Sequence, residues 1–199
     1  MDKIFSEIYN DALIRIFPRL SKELTYHNAD HARDVLDQAI RIAHEEGISN
    51  KEDLLLLKIA ALYHDTGFIK SYSGHEEVSC DLAREELPVF GINDRQLDHI
   101  CKLIMVTKMP RYPENKLEEI ICDADLDYLG RTDFFKISNL LFLELKHRGL
   151  VHNEYNWNKK QVHFLKVHQY FTPANRAARQ QLKLKHLSMI EQMLQSSSS

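Results

Sequence analysis

The amino-acid sequence predicts a single all-α domain of about nine helices over residues 1–195. Apolar residues recur at helical spacing along the chain, and no segment alternates apolar and polar residues as a half-buried strand does. The connections between the helical segments are short, as expected for helices that pack on their neighbours. No internal repeat or low-complexity linker divides the chain, and residues 196–199, all serine, are interpreted as a disordered tail.

Start and stop signals place the helices in order. Pro18 limits the first helix, Gly47 stops the second, and Asn50 caps the third. The predicted helices cover approximately residues 4–17, 29–46, 54–67, 73–87, 93–106, 115–129, 132–148, 158–171 and 173–194.

Two pairs of residues predict capping boxes, in which two side chains satisfy free backbone N–H groups at a helix start. Ser73 with Glu76 predicts one box, and Asn93 with Gln96 predicts the other. Pro173 falls in the first turn of the last helix, where its missing N–H costs nothing.

Composition restricts the class of protein. The 199 residues are 44% hydrophobic and 28% charged, which is ordinary for a globular domain. A net charge of −3 gives no support to bulk binding of nucleic acid or of an anionic membrane, and no apolar run approaches the length of a membrane span. The charged N-terminal segment does not resemble a signal peptide. The scattered Cys80, Cys101 and Cys122 predict buried, reduced thiols and a cytoplasmic protein.

An adjacent histidine and aspartate, His64 and Asp65, end the most apolar helix. Leu54, Leu57 and Ala61 form a stripe with His64, so the apolar seam runs into the histidine. Buried polar groups must be satisfied, and a divalent cation is one partner that could do so. Taken alone, the pair is better explained as a cap of the helix C-terminus, where an imidazolium complements the dipole.

Two other metal-competent side chains fall on apolar helix faces. His31 shares the inner stripe of the second helix with Val35, and Asp125 lies four residues from both Ile121 and Leu129. A carboxylate on a buried stripe is costly unless it is paired or bound to a cation. Two histidines and two aspartates could give one ion four ligands. Such a set suits a divalent ion without distinguishing Mn, Fe, Ni, Mg, Co or Zn.

The order of His31, the adjacent His64–Asp65 and the distant Asp125 resembles the H…HD…D signature of the HD-domain metal-dependent phosphohydrolases. The resemblance covers about residues 26–130 and includes the HDxG ending. It implies an all-helical fold, a divalent metal held by these four residues, and hydrolysis of phosphate esters.

The last ligand has an alternative. The family usually shows an A-D-x-L pattern there, and Ala124-Asp125-Leu126 lacks one spacer, which leaves Asp123 open. Paired isoleucines at positions 120 and 121 favour Asp125. Asp127 is interpreted as solvated or as the partner of a nearby base.

Residues 26–35 are similar to the YHNxxHAxDV segment of class I cyclic-nucleotide phosphodiesterases, a branch of the same superfamily. That resemblance implies that His27 is a general acid for the leaving oxygen, while His31 stays a ligand. Histidine titrates in the range that proton transfer needs. The alternative is that His27 only caps or packs at the helix entrance.

Further residues near the expected site have open roles. His75 and Glu76 resemble an HE pair that some members carry near the metal, as outer-sphere groups, a further ligand or substrate contacts. Lys70, Lys108 and Arg131 fall on loops beside the site and could hold phosphate, or could be solvated surface charges.

These observations predict a cytoplasmic metal-dependent phosphohydrolase that acts on a phosphate ester of a nucleotide or related small molecule. Asp65 would also orient the attacking water. One alternative is a 3′,5′-cyclic-nucleotide phosphodiesterase, although no glutamine has a purine-reading context. The other is a non-catalytic, metal-bound helical domain that senses a nucleotide. The oligomeric state is left open.

Overall fold

The computed structural model describes residues 2–196 and confirms the all-α fold, because nine α-helices and no strand occur in that range. None of these helices combines the length and the apolar character that a bilayer crossing requires. The helices are α1 (Asp2–Asp11), α2 (Ala29–Glu45), α3 (Lys51–Tyr63), α4 (His75–Glu86), α5 (Asp94–Met105), α6 (Lys116–Asp125), α7 (Phe134–His147), α8 (Glu154–Val167) and α9 (Pro173–Ser196).

Two hydrophobic clusters organise the helices. The main cluster lies among α1 to α6, where α2 packs on α3 and α6, and α5 packs on α3 and α4. Helix α3 is apolar on almost every face, so it lies at the centre of this cluster. The second cluster joins Tyr26 and the turn after α6 to α7, α8 and α9. Tyr26 of the second cluster packs on the ring of His31, one of the predicted site residues.

The predicted start of α8 and the predicted cap of α4 are wrong for reasons of local capping. Helix α8 begins at Glu154 rather than near residue 158, because the side chain of Asn153 accepts a hydrogen bond from the backbone N–H of Asn156. The Ser73–Glu76 capping box does not form, since Gly74, at φ 70°, precedes α4 and no side chain caps that helix.

Other predictions about helix ends fare differently. The Asn93–Gln96 capping box is present at α5. Ser196, predicted to belong to a disordered tail, is the last residue of α9, and residues 197–199 lie outside the described range. All three cysteines are buried and free, as predicted.

Asp127 is buried, so the expectation that it is solvated is wrong, whereas its expected pairing with a base is confirmed. Its Oδ1 accepts hydrogen bonds at 2.8 Å from Arg41 Nη2 and from Arg179 Nε. These bonds tie the turn after α6 to α2 and α9, and the two guanidinium groups compensate the buried charge.

A buried lysine joins α8 to α9. Lys183 is 2% exposed, and its Nζ donates to the carbonyl oxygen of His168 at 2.5 Å and lies 3.4 Å from Nδ1 of the same residue. Burial lowers the pKa of His168 to about 3, with the charges of Lys183 and Arg111 acting in the same direction. The folded protein therefore holds this imidazole neutral.

We expect His168 to make the protein sensitive to acid. Its folded pKa lies below the unfolded value, so the unfolded chain takes up a proton first, and stability falls as pH drops from about 6.5 towards 3. Between pH 7 and pH 5, the free energy of unfolding should therefore fall by roughly 1–2 kcal/mol less in His168→Gln than in the wild type. Urea unfolding at both pH values measures this difference. His152→Gln, at an exposed position, is the control, and a slope for His168→Gln equal to that of the wild type would contradict the assignment.

Candidate metal and active site

His64 follows directly on α3 and is 1% exposed. Its Nδ1 lies 2.9 Å from the carbonyl oxygen of Ala61, which can only accept a hydrogen bond. The neutral ring therefore carries its proton on Nδ1 and leaves the lone pair of Nε2 free. Orienting one ring nitrogen on a carbonyl is the usual way in which proteins fix a metal-binding imidazole.

His31 lies in the first turn of α2, after Asn28, whose side chain accepts from the N–H groups of Asp30 and His31. Its ring packs on that of Tyr26 with 4.4 Å between centroids. His31 Nε2 lies 3.4 Å from Asp65 Oδ2, and His64 Nε2 lies 3.2 Å from the same oxygen. Helices α2 and α3 thus bring both imidazoles to one carboxylate.

Asp125, the last residue of α6, lies beside the same groups. Its Oδ1 is 3.1 Å from His31 Nε2 and 3.4 Å from His64 Nε2, and its Oδ2 is bonded to the Arg111 guanidinium. Asp123 faces the other way. Its carboxylate accepts hydrogen bonds from the backbone N–H groups of Phe171 and Thr172 and from the Thr172 hydroxyl.

Three buried atoms of this cluster have no hydrogen-bond partner: His31 Nε2, His64 Nε2 and Asp65 Oδ2. The ligand atoms of these residues all lie within 4.8 Å of one another. Unpaired buried polar atoms are costly, and a divalent cation accepts imidazole nitrogen and carboxylate oxygen together. The residues present therefore fit a metal ion.

The charges of the cluster support one another. Burial opposes ionisation of both Asp65 and Asp125. The charge of His64 nevertheless holds the pKa of Asp65 well below its usual range, and Arg111 does the same for Asp125. The neighbouring imidazoles lower both pKa values further. Burial likewise opposes protonation of His64, yet the two carboxylates raise its pKa. Both aspartates are therefore ionised at neutral pH, which is the form that binds a metal.

The N-terminus of α4 completes the wall of the site. His75 Nε2 lies 3.3 Å from Asp65 Oδ1 and 3.6 Å from Glu76 Oε1. Gly67 allows this approach, because a Cβ there would lie 1.9 Å from the His75 carbonyl oxygen. Ser79 Oγ accepts from the Gly67 N–H and donates to the His64 carbonyl, which locks α4 to the turn after α3.

His27 is held by a residue that the sequence analysis missed. Glu144 of α7 is fully buried and accepts from the N–H groups of Tyr26 and His27, and its Oε1 lies 2.5 Å from His27 Nδ1. Tyr72 donates to the same oxygen. Burial opposes ionisation of Glu144, but these bonds keep its pKa below the usual value. A carboxylate on Nδ1 orients the imidazole and fixes its tautomer.

The candidate phosphate-binding cations have different positions. Lys108 lines the cavity beside the site and is paired with Glu77. Lys70 is exposed and does not line this cavity. Arg131 is also outside it, because its guanidinium binds Asp34 and Asp133.

Arg111, also missed by the sequence analysis, is the buried cation closest to the metal-competent groups. It donates to the carbonyl oxygens of Thr107 and Cys122 as well as to Asp125. Its place in a proline-bounded loop leaves no periodic signal. Glu144 did leave one, since it interrupts the apolar stretch LLFLELKH of α7 as Asp125 interrupts that of α6.

An open cavity of about 790 Å³ lies against these groups. His27, Asp65, His75 and Asp125 line one part of it, and side chains of α7 and α8 line another. Pockets of about 300–1,000 Å³ hold small-molecule ligands in proteins, so the cavity has room for more than a phosphoryl group.

Comparison with known proteins identifies the fold. The HD-domain family profile matches residues 28–129, just over half of the chain, so the chain belongs to the HD-domain family. The resemblance of the H…HD…D signature to the HD-domain superfamily is thereby confirmed, and this superfamily consists mostly of hydrolases. The similarity of residues 26–35 to cyclic-nucleotide phosphodiesterases stays a prediction. A comparison with curated proteins gave no significant match.

Two aspartates of α6 allow a paired test of the site. Asp125→Asn should lose bound metal, because it removes a charge next to both histidine Nε2 atoms. Asp123→Asn should keep its metal but lose roughly 1–3 kcal/mol of stability, since its amide N–H₂ group faces hydrogen-bond donors. Elemental analysis and thermal unfolding separate the two effects. Loss of metal from Asp123→Asn alone would reverse the assignment.

Proposed function

We propose that the protein is a hydrolase of phosphate esters in which His31, His64, Asp65 and Asp125 hold a divalent metal ion. The observation that carries the proposal is the group of unpartnered ligand atoms on His31, His64 and Asp65, beside a cavity that His27 also lines. A bound divalent ion supplies positive charge to the phosphoryl oxygens and acidifies the attacking water.

The chain itself supplies the other parts of the reaction. Asp65 lies between the histidines and His75, so its second oxygen can orient water on the cavity side. His27 donates a proton to the leaving oxygen, and Glu144 holds its ring in place. Arg111 stays beside Asp125 and compensates negative charge where the phosphoryl group binds.

The proposed substrate is a phosphate ester of a nucleotide or related small molecule. A 3′,5′-cyclic-nucleotide phosphodiesterase is the second candidate, favoured by the segment around His27. Among the described residues that line the cavity, Gln161 is the one glutamine, and its amide is bonded to Ser138 and Asn158. The Gln161 amide is therefore not free to bind a purine, which favours the first candidate over a cyclic-nucleotide phosphodiesterase.

The three buried free thiols support a reducing compartment, and we propose the cytoplasm. Of the two other candidates, the non-catalytic domain would bind metal and nucleotide without turnover. Elemental analysis combined with a screen of phosphomonoesters, nucleotides and cyclic dinucleotides distinguishes it from both enzymes.

Asp65→Ala tests the metal centre directly. It should lose most bound metal and all hydrolysis, because it removes the carboxylate that lies next to both imidazoles. The helical circular dichroism should remain, since the apolar helix faces are unchanged. Asp98→Ala, at an exposed position on α5, should behave like the wild type. Full metal occupancy in Asp65→Ala would refute the ligand assignment.

His27→Ala tests proton donation through the leaving group. A good leaving group departs without a proton, so the loss should depend on the ester. We expect a decrease of about 10²- to 10⁴-fold on an alkyl or nucleoside ester and a far smaller one on a nitrophenyl ester, with metal content unchanged.

Glu144→Gln provides the matched comparison, because it keeps the size of the group that holds His27. It should show the same dependence on the leaving group with a smaller loss. Equal losses of His27→Ala on both esters would show that His27 is not the proton donor, and loss of metal would make it a ligand or its support.

A further inference from the structure

A continuous aromatic wall leads from the metal-competent cluster into the second hydrophobic cluster. The ring of His31 packs on that of Tyr26. The ring centroids of Tyr26 and Tyr128 are 5.8 Å apart, and those of the stacked Tyr128 and Phe134 are 6.1 Å apart. Tyr26, Tyr128 and Phe134 all line the cavity. These three rings are buried and form the floor of the cavity, whereas the half-buried Trp157 and Phe164 present ring surface to a ligand.

Helix α8 adds further apolar side chains to this cavity. Trp157, Phe164 and Leu165 line it, together with Leu141 of α7. Both helices lie beyond residues 28–129, the segment that the family profile matches. This part of the cavity is therefore built by the chain's own C-terminal segment rather than by the shared HD domain.

Several polar groups of the lining are already bonded within the protein. The Trp157 indole donates to Ser138, the Thr107 hydroxyl donates to the Ile104 carbonyl, and the Tyr72 hydroxyl donates to Glu144. The Gln161 amide is likewise bonded on both its oxygen and its nitrogen. Lys159, Lys160 and His163 are exposed, so they belong to the rim.

We propose that this cavity selects phosphate esters whose alcohol carries a flat aromatic group, held by stacking and apolar contact rather than by hydrogen bonds to its edge. A nucleobase is then accepted as one such group, with little distinction among bases. The inference rests on the proposed function, because it takes the phosphoryl group to bind at the metal-competent cluster. Apolar pockets discriminate weakly among groups that differ in polar substituents, whereas hydrogen-bonding sites discriminate strongly.

Binding can be tested without catalysis. Trp157 is the single tryptophan, so its fluorescence reports on this cavity. Naphthylmethylphosphonate has no ester bond to cleave, and its binding to the wild-type metalloprotein should quench the Trp157 fluorescence. The affinity of methylphosphonate is measured by its competition with this probe. Naphthylmethylphosphonate should bind at least about tenfold more tightly than methylphosphonate. Equal affinities of the two phosphonates would overturn the proposal.

A substitution in the α8 lining of the cavity provides a second measurement. Phe164→Ala should weaken binding of naphthylmethylphosphonate about fivefold or more and leave methylphosphonate less affected. Tyr112→Ala is the matched control, because this aromatic residue is 76% exposed and lies outside the cavity lining. If Phe164→Ala does not fold, the affinities of the two phosphonates for the wild type still test the proposal.

Turnover tests the statement about bases. The values of kcat/KM for the four nucleoside monophosphates should agree within about fivefold, and ribose 5-phosphate should be at least about tenfold poorer. A preference of about 100-fold for one base would overturn the inference. Failure to hydrolyse any ester, together with tight naphthylmethylphosphonate binding, would refute the proposed function and support the inferred selectivity.

Discussion

The cost of burying unpaired polar atoms is the constraint on which this fold depends. Helix α3 lies at the centre of the main hydrophobic cluster and ends on His64 and Asp65, so two polar side chains are placed where water is scarce. His31 and Asp125 reach them from α2 and α6, and Arg111 balances the second carboxylate. The surrounding helices are thereby arranged around a small group of charges that a metal ion would complete.

Helix α6 shows how one turn can serve both structure and site. Asp125 faces the histidines, whereas Asp123 accepts hydrogen bonds from the segment that leads into α9. Asp127, directly after the helix, binds Arg41 and Arg179. The position of Asp125 is therefore supported by contacts on the opposite side of its own helix, which link it to the segment before α9.

The fold was predictable from helical periodicity. The grouping of His31, His64, Asp65 and Asp125 was predicted from their place on apolar helix faces together with the resemblance to the HD-domain family. Asp125 stood out as a carboxylate on an apolar stripe, and Glu144 carried the same signal without being recognised. Arg111 lies in an irregular loop, where spacing predicts no contact. The start of α8 was misplaced because the Asn153 cap adds a polar first turn. At α4, no side chain takes the predicted capping role, and the Glu76 carboxylate lies beside His75 in the site.

Two glycines allow neighbouring segments to approach closely. A Cβ at Gly67 would meet the backbone of His75, and one at Gly130 would lie 2.3 Å from the carbonyl oxygen of Arg179, while neither glycine has a positive φ. They are points of closest approach between segments rather than hinges. A side chain at Gly67 would push the turn after α3 away from α4, and one at Gly130 would push the turn after α6 away from α9. The two glycines therefore set how closely the segments around the charged centre can pack.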